Sequence, residues 1–363
     1  MQASPNVGNV PARGGMSTNL QPGRLLQGSI FTPNALSADA KALFLDSIWP
    51  RSSLSKTSST ADFDAYFAYL RQEVNRTDPD GHIVNSYNDI VWVITLVSRS
   101  PTEKLADLQS TIQTAHPRGN EQKVSASLEL SLRLWLLINV RILMPADTQD
   151  MHNSLPWPKG QCLQEVLSRV IVSSTNNIPG QLGAGSGKFS VYLNVADMKR
   201  IAGYRIVWTN RLLDHLDTEG SSIYMFHHVS VLKRLKESLP RNLLPPAYFD
   251  ETLATIKLMI PHSQPGCNAW LEGQISQYSL DANVRYRESA NRDKDGYAHW
   301  HHRLSLIAET FDMTGPSTFR QWWYDRRNME RWWGFWLLVI GVFLAVLFGL
   351  IQSVTGILQV LKD

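Results

Sequence analysis

Several stretches of the sequence carry residue types at spacings that could do chemistry. His227-His228 is one histidine pair, and His299, His301 and His302 form a second cluster. On a helix His299 and His302 share a face, one turn apart. Zinc needs further ligands from elsewhere, which the sequence does not supply in a recognisable spacing, so histidines satisfied in the core or on a wet face are expected instead. Gly183-Ala184-Gly185-Ser186-Gly187-Lys188 has the composition of a phosphate loop. Leu182 stands where such a loop needs its first glycine, and Phe189 where it needs a Ser or Thr for Mg²⁺. A connector is expected there. Asn291-Arg292-Asp293-Lys294-Asp295-Gly296 has the start of a calcium loop, but His302 occupies the position of the bidentate glutamate, and a polar turn is expected.

Nucleophilic chemistry fares no better. There is no GxSxG elbow. Asp214 and His215 are adjacent, so on a helix they point apart. Asp250 and Glu251 fit the first turn of a helix, where the helix dipole favours carboxylates. Cys162 and Cys267 lack CxxC spacing and read as buried thiols. Arg200, Arg205, Arg211, Lys233, Arg234 and Lys236 could touch phosphates. Yet 35 Lys and Arg against 32 Asp and Glu, a net charge of +3, is too even to indicate nucleic acid. No cofactor and no metal are expected.

The elements that must position these residues are mostly helices. Hydrophobic residues make up 43% of the 363 and charged residues 18%, enough for a buried core, and two cysteines exclude a disulfide scaffold. Residues 1–35 read as a disordered arm, and Ser37 as the cap of a first helix. Residues 51–60 read as a polar loop, followed by a helix from Thr60 or Ala61, a turn at Asp78–Gly81, an apolar segment at 86–98 and a helix opened by Pro101. In 124–144 the alternation of Leu128, Leu130, Leu132 and Leu134 mimics a strand, but length and leucine content favour a buried core helix. Glu129, Arg133 and Arg141 exclude a second span. A helix near 159–173 and a glycine-rich loop at 176–188 follow. Strand and helix then alternate: strands at 189–194, 204–209 and 221–228, and helices at 195–203, 210–216 and 229–238. A helix from 247 to about 260, a loop-rich 262–294 and a helix at 297–311 complete the domain.

The C-terminal segment is the strongest signal. No charged residue appears from Trp332 to Leu361, and about 20 apolar residues suffice to cross a bilayer. Five of the twelve tryptophans, Trp322, Trp323, Trp332, Trp333 and Trp336, lie beside Tyr324 as an aromatic belt. Arg320, Arg326, Arg327 and Arg331 precede the span and only Lys362 follows it, which places the domain in the cytosol. These arginines also suit anionic headgroups. The amino-terminal residues have no apolar core of a signal peptide, so a tail-anchored protein is expected, and the sequon Asn75-Arg76-Thr77 goes unused. Gly341, Ala345, Gly349 and Ser353 recur every four residues, a ridge suited to helix association. The offset of Lys362 by Asp363 suggests the endoplasmic reticulum or another endomembrane.

The stretches NVADMKRIAGYRIVWTNRLLDHL, IYMFHHVSVLKRL, LPPAYFDETLATIKLMIP and STFRQWWYDRRNMERWWGFW, with the apolar tail, carry a resemblance over about the last two-thirds of the chain. It resembles a family of filamentous-ascomycete proteins that end in a Trp/Arg-rich collar and a single transmembrane helix. The collar of Trp322, Trp323, Asp325, Arg326, Arg327 and Trp336 is its most specific part, and Trp333 replaces a more usual tyrosine. The resemblance implies a membrane anchor and a fungal source, and no reaction.

The expected fold is mainly α: a helical cytosolic domain with a small β-sheet inserted, plus one C-terminal transmembrane helix. The expected organisation is an arm (1–35), the domain (36–311, with a candidate subdomain break near 145–160), a juxtamembrane collar (312–331), the span (332–354) and a short tail (355–363). The expected role is a non-enzymatic interaction or scaffold module, with the bilayer, protein partners and self-association through the span as contacts. The alternative is a membrane-tethered enzyme whose site lies near the membrane surface.

Overall fold

The structure is a computed structural model and describes residues 25–32, 36–50, 59–142, 154–176, 187–285 and 290–361. It is mainly helical, with two small sheets and one long C-terminal helix. The phosphate-loop mimic from Gly183 to Ser186 lies outside the described residues, as does most of the polar loop at 51–60.

Side-chain caps set several of the first helices. Ser37 Oγ accepts from Ala40 N at 3.2 Å and starts α1 (Ala38–Ile48). Ser59 and Asp62 form a capping box ahead of a 3₁₀ turn and α2 (Asp64–Asn75). Ser86 and Asp89 form a second box at α3 (Tyr87–Arg99). After α4 (Leu105–Ala115), Asn120 caps α5 (Glu121–Leu136) through Lys123 N.

Helix α5 explains the ambiguous leucine alternation. It is buried nearly all round, so leucines on every side find a core and no single stripe is required. The charges that exclude it as a span are met by partners. Arg133 pairs with Glu73 at 2.8 Å, and Glu129 accepts from Ile142 N at 2.6 Å with Arg141 at 3.7 Å. The helix stops eight residues before the expected end, because Leu137 turns left-handed at φ 54° and the chain continues as strand β1 (Val140–Arg141). β1 pairs in parallel with β2 (Leu155–Pro156), and α6 (Leu163–Asn176) follows. One contiguous core runs from Leu26 to Phe311 and crosses the 145–160 region. It also reaches into the stretch read as an arm: Leu26 and Ile30 are buried, and Ile30 N donates to Asn85 O.

The expected strand at 189–194 does not form. Phe189 and Leu193 are buried but Val191 between them is 58% exposed, so the alternating residues do not share a face. Asn194 instead caps α7 (Val195–Ala202), and Gly203 closes it at φ 73°. The expected strands at 204–209 and 221–228 are β3 (Arg205–Thr209) and β5 (Ser222–Phe226), in parallel register, with β4 (Thr218–Glu219) antiparallel to β5. Between them the expected helix at 210–216 shrinks to a 3₁₀ turn, Leu212–Asp214, since Leu216 at φ 57° reverses the chain.

Helix α8 (Val229–Ser238) packs on α9 (Pro246–Met259). The loop expected at 262–294 contains a fourteen-residue helix, α10 (Pro265–Tyr278). Pro265 sits in its first turn, where its missing N–H costs nothing, and Cys267 and Leu271 bury one turn apart. α11 (His301–Met313) leads to the collar helix α12 (Phe319–Tyr324) and to α13 (Met329–Val360).

Candidate functional site

Three histidines, His215, His227 and His228, are buried inside the domain. His227 Nδ1 accepts from Asp281 N at 3.4 Å, so its proton is on Nε2, which donates to Asn210 Oδ1 at 3.0 Å. His228 Nε2 reaches the same oxygen at 2.8 Å. Burial pushes His227 down to about 3, and burial with the neighbouring His227 lowers His228 well below its ordinary value. His215 Nδ1 accepts from Phe226 N, and its Nε2 donates to Thr255 Oγ1 at 2.7 Å. Burial, then the charge of Arg303, holds His215 at about 3. These rings are neutral and committed to the fold. Beside them, His228 Nδ1 and the Tyr69 hydroxyl are buried with no hydrogen-bond partner, their rings 5.7 Å apart.

The other candidates separate in the same way. α11 begins at His301, so His299 lies before it and shares no helical face with His302. Among the described residues no cluster of three His, Cys, Asp or Glu could hold a metal. In the calcium-loop mimic, Asn291 Oδ1 accepts from Asp293 N and Lys188 lies 3.7 Å from Asp293. Asp250 and Glu251 fall beyond the first turn of α9: Asp250 pairs with Lys236, and the buried Glu251 accepts from Trp300 N at 2.6 Å. The cations considered for phosphate contact make no stripe. Arg234 is buried against Asp46, Arg205 reaches Ser222, and Arg200 pairs with Asp197. Cys162 and Cys267 are free and buried, and burial raises the Cys267 thiol to about 11.

The collar is where the structure brings predicted residues together. Thr318 and Gln321 form a capping box that starts α12, a T-x-x-Q signature legible in the sequence and overlooked in it. Trp322 stacks on Phe335 of α13, with centroids 4.4 Å apart and planes 10° apart. Trp323 meets Trp336 edge-on at 5.1 Å, and Trp332 Nε1 reaches Trp323 O at 3.4 Å. Arg326 lies over the Trp332 ring. Tyr324 turns the other way, under the Arg200 guanidinium at 4.4 Å, and packs on the core.

Arg327 differs from the arginines around it. Its guanidinium donates to Phe311 O and Thr314 O at the end of α11, holds Asp325 through two 2.9 Å bonds, and covers the Phe311 ring at 4.3 Å. Burial raises the Asp325 carboxyl, but the hydrogen bonds and charge of Arg327 outweigh it and bring it below the ordinary carboxylate value. Arg327 therefore ties the approach to α13 to the domain, whereas Arg320, Arg326, Arg331, Trp323 and Trp333 are exposed.

From Met329 to Ile357 α13 offers 29 residues long and apolar enough to cross a membrane, none of that apolar window buried against the domain. Gly341, Ala345, Gly349 and Ser353 lie within it, and a Cβ added at Gly341 or Gly349 would meet nothing within 4 Å. The collar also walls a cleft of about 760 Å³ between α7, α10 and α12, lined by Lys199, Arg200, Arg320, Gln321, Tyr192 and Trp270 among others. Lys199 carries no signal in the sequence, because a single lysine marks no site without the cleft around it. No protein-family model, curated protein or solved structure matches the chain.

Proposed function

We propose that this chain is a single-pass membrane protein whose helical domain faces the cytosol and serves as a non-enzymatic interaction or scaffold module at the membrane surface. The observation that carries the reading is α13: a 29-residue stretch, Met329–Ile357, long and apolar enough to cross a membrane, with its most apolar window clear of the domain, yet fastened to it through Arg327, Asp325 and the Trp322–Phe335 stack. Such an apolar surface needs a bilayer to cover it. With Arg327 spent on the protein, Arg320, Arg326 and Arg331 still outnumber Lys362 across the span, and that bias supports the cytosolic side. His215, His227 and His228 are neutral and bonded to Thr255 and Asn210, which supports a structural role for them. Self-association through the ridge of Gly341, Ala345, Gly349 and Ser353 belongs to the same proposal.

The test is topology. Sealed vesicles carrying the protein with an amino-terminal tag are extracted with alkaline carbonate and treated with protease. A pelleted protein whose tag is digested is the expected result. Carbonate release removes the anchor, and a protected tag with a glycan on Asn75 inverts the orientation. Crosslinking in the same membranes is expected to join the domain, and not an isolated span, to a discrete protein.

A further inference from the structure

The cleft beside the collar has the position and charge of a headgroup site, and reading it so rests on the membrane-anchor proposal. Its α12 wall is fixed to the first turns of α13 by the Trp322–Phe335 stack. Phe335 is about 9 Å along α13 from Met329, at the start of the apolar stretch. The rim of the cleft therefore lies at headgroup depth when α13 spans the bilayer.

The charges in the cleft do not cancel. Asp197 is the lining carboxylate, and it is already committed: Arg200 Nη2 approaches its Oδ1 at 2.5 Å and Asn194 Nδ2 its Oδ2 at 2.7 Å. Lys199 and Arg320 are exposed to the cleft, and neither has a carboxylate partner among the described residues. Gln321 lines the same wall, fixed by Oε1 accepting from Ser317 and Thr318, with its amide nitrogen turned toward Gly203. Trp270, held in a stack with Trp208 at 5.8 Å, supplies a flat apolar wall. The volume of about 760 Å³ exceeds that of a bare phosphate and falls in the range of organic-ligand sites.

We propose that this cleft binds the phosphomonoester headgroup of an anionic membrane lipid. Two unpaired cations match a phosphomonoester, which carries about −1.5 to −2 at neutral pH. A zwitterionic phosphatidylcholine headgroup offers no net charge to either cation. The lipid is held at the surface by its own acyl chains, so the site need supply only headgroup selectivity.

The probes are short-chain phosphatidic acid, phosphatidylcholine and inorganic phosphate, titrated into full-length protein in neutral detergent, with retained lipid counted by native mass spectrometry. One phosphatidic acid is expected to stay bound at concentrations where phosphatidylcholine does not. The double variant Lys199→Ala/Arg320→Ala is expected to weaken it about thirtyfold, as losing two cations at a bilayer surface implies. Arg118→Ala/Lys123→Ala removes the same charge from a separate cleft and is expected to change binding about twofold at most. Equal weakening by that control means diffuse attraction and overturns the site. Equal retention of phosphatidylcholine also overturns it, and displacement by inorganic phosphate at matching affinity assigns the cleft to soluble anions. An unchanged melting temperature shows that the Lys199/Arg320 variant folds. Flotation with neutral phosphatidylcholine vesicles is measured alongside. Protein that floats but retains no phosphatidic acid loses the headgroup site alone, whereas protein that does not float loses the anchor.

Discussion

The histidine-rich interior and the aromatic collar use similar residue types for opposite ends. In the interior, His215 and His227 spend both ring nitrogens on Thr255, Asn210 and backbone groups, and His228 puts Nε2 on Asn210, in surroundings dry enough to keep them neutral. In the collar, Arg327 alone turns inward, while Arg320, Arg326 and Arg331 stay exposed around tryptophans that pack mainly on one another. The residues that look catalytic in the sequence hold the fold together. The residues that look like membrane filler form the junction and one wall of a charged cleft.

Acid is the strongest way to set the two regions apart. The folded values of His215 and His227, about 3, lie below the unfolded value of about 6.5. Between these values the unfolded chain binds more protons, so their contribution to stability is present above pH 6.5 and is lost as pH falls toward 3. At about 1.4 kcal/mol per unit, each ring contributes several kcal/mol. Denaturant midpoints of full-length protein in detergent should therefore fall steeply below pH 6.5, and His227→Asn should flatten that slope. A midpoint that does not move down to pH 4 would show that these rings are solvated and open to ligands. Asp325 behaves oppositely. Its folded value is depressed, so the contribution of its pair with Arg327 persists while the histidines already titrate, and fades only below the ordinary carboxylate value of about 3.9.

The junction itself is next in size. Arg327→Ala leaves Asp325 half-buried without its partner and the Thr314 carbonyl without the guanidinium donor, while Phe311 O keeps only its bond from Thr314 N, at a cost of about 2–3 kcal/mol. The loss should be local. Hydrogen exchange should accelerate in 311–327 and stay unchanged in α5. Faster exchange throughout the domain would make the clamp part of the core, and the contrast between the two regions would fail.

Much of this was legible in the chain. The long apolar helix α13 follows from an uncharged stretch whose length matches a bilayer, and Ser37 announces its helix by local chemistry alone. α10 was hidden because Pro265, Gly266 and Gly273 look like breakers, although the proline occupies the position a helix tolerates. The clamp was hidden for another reason. Arg326 and Arg327 are neighbours of one type, and only the packing of α11 decides that one covers Trp332 and the other Phe311. The cleft joins residues more than a hundred positions apart, Lys199 and Arg320, so no local pattern marks it.

Trp322→Ala gives a smaller effect. It removes the stack on Phe335, worth about 1 kcal/mol beyond the area it covers. Spin labels on α12 and α13 should report a broader distance distribution in vesicles while the domain's melting temperature holds. An unchanged distribution would mean that Arg327 alone sets the angle of α13.

The smallest test returns to the interior. The Tyr69 hydroxyl is buried beside His228 Nδ1, and neither has a hydrogen-bond partner. Burying a hydroxyl without a partner is unfavourable, so Tyr69→Phe should leave stability unchanged or raise it by up to about 1 kcal/mol. The Tyr66 hydroxyl is the internal control, since it donates to Leu134 O at 2.9 Å, and Tyr66→Phe should destabilise by about 1 kcal/mol. The two rings sit one helical turn apart on α2, so the same substitution with opposite signs isolates the hydrogen bond from the packing. If Tyr69→Phe destabilises as much as Tyr66→Phe, the Tyr69 hydroxyl is bonded in solution. The Tyr69 hydroxyl and His228 Nδ1 would then be polar groups with partners inside the core, and the interior would no longer be the closed half of the contrast.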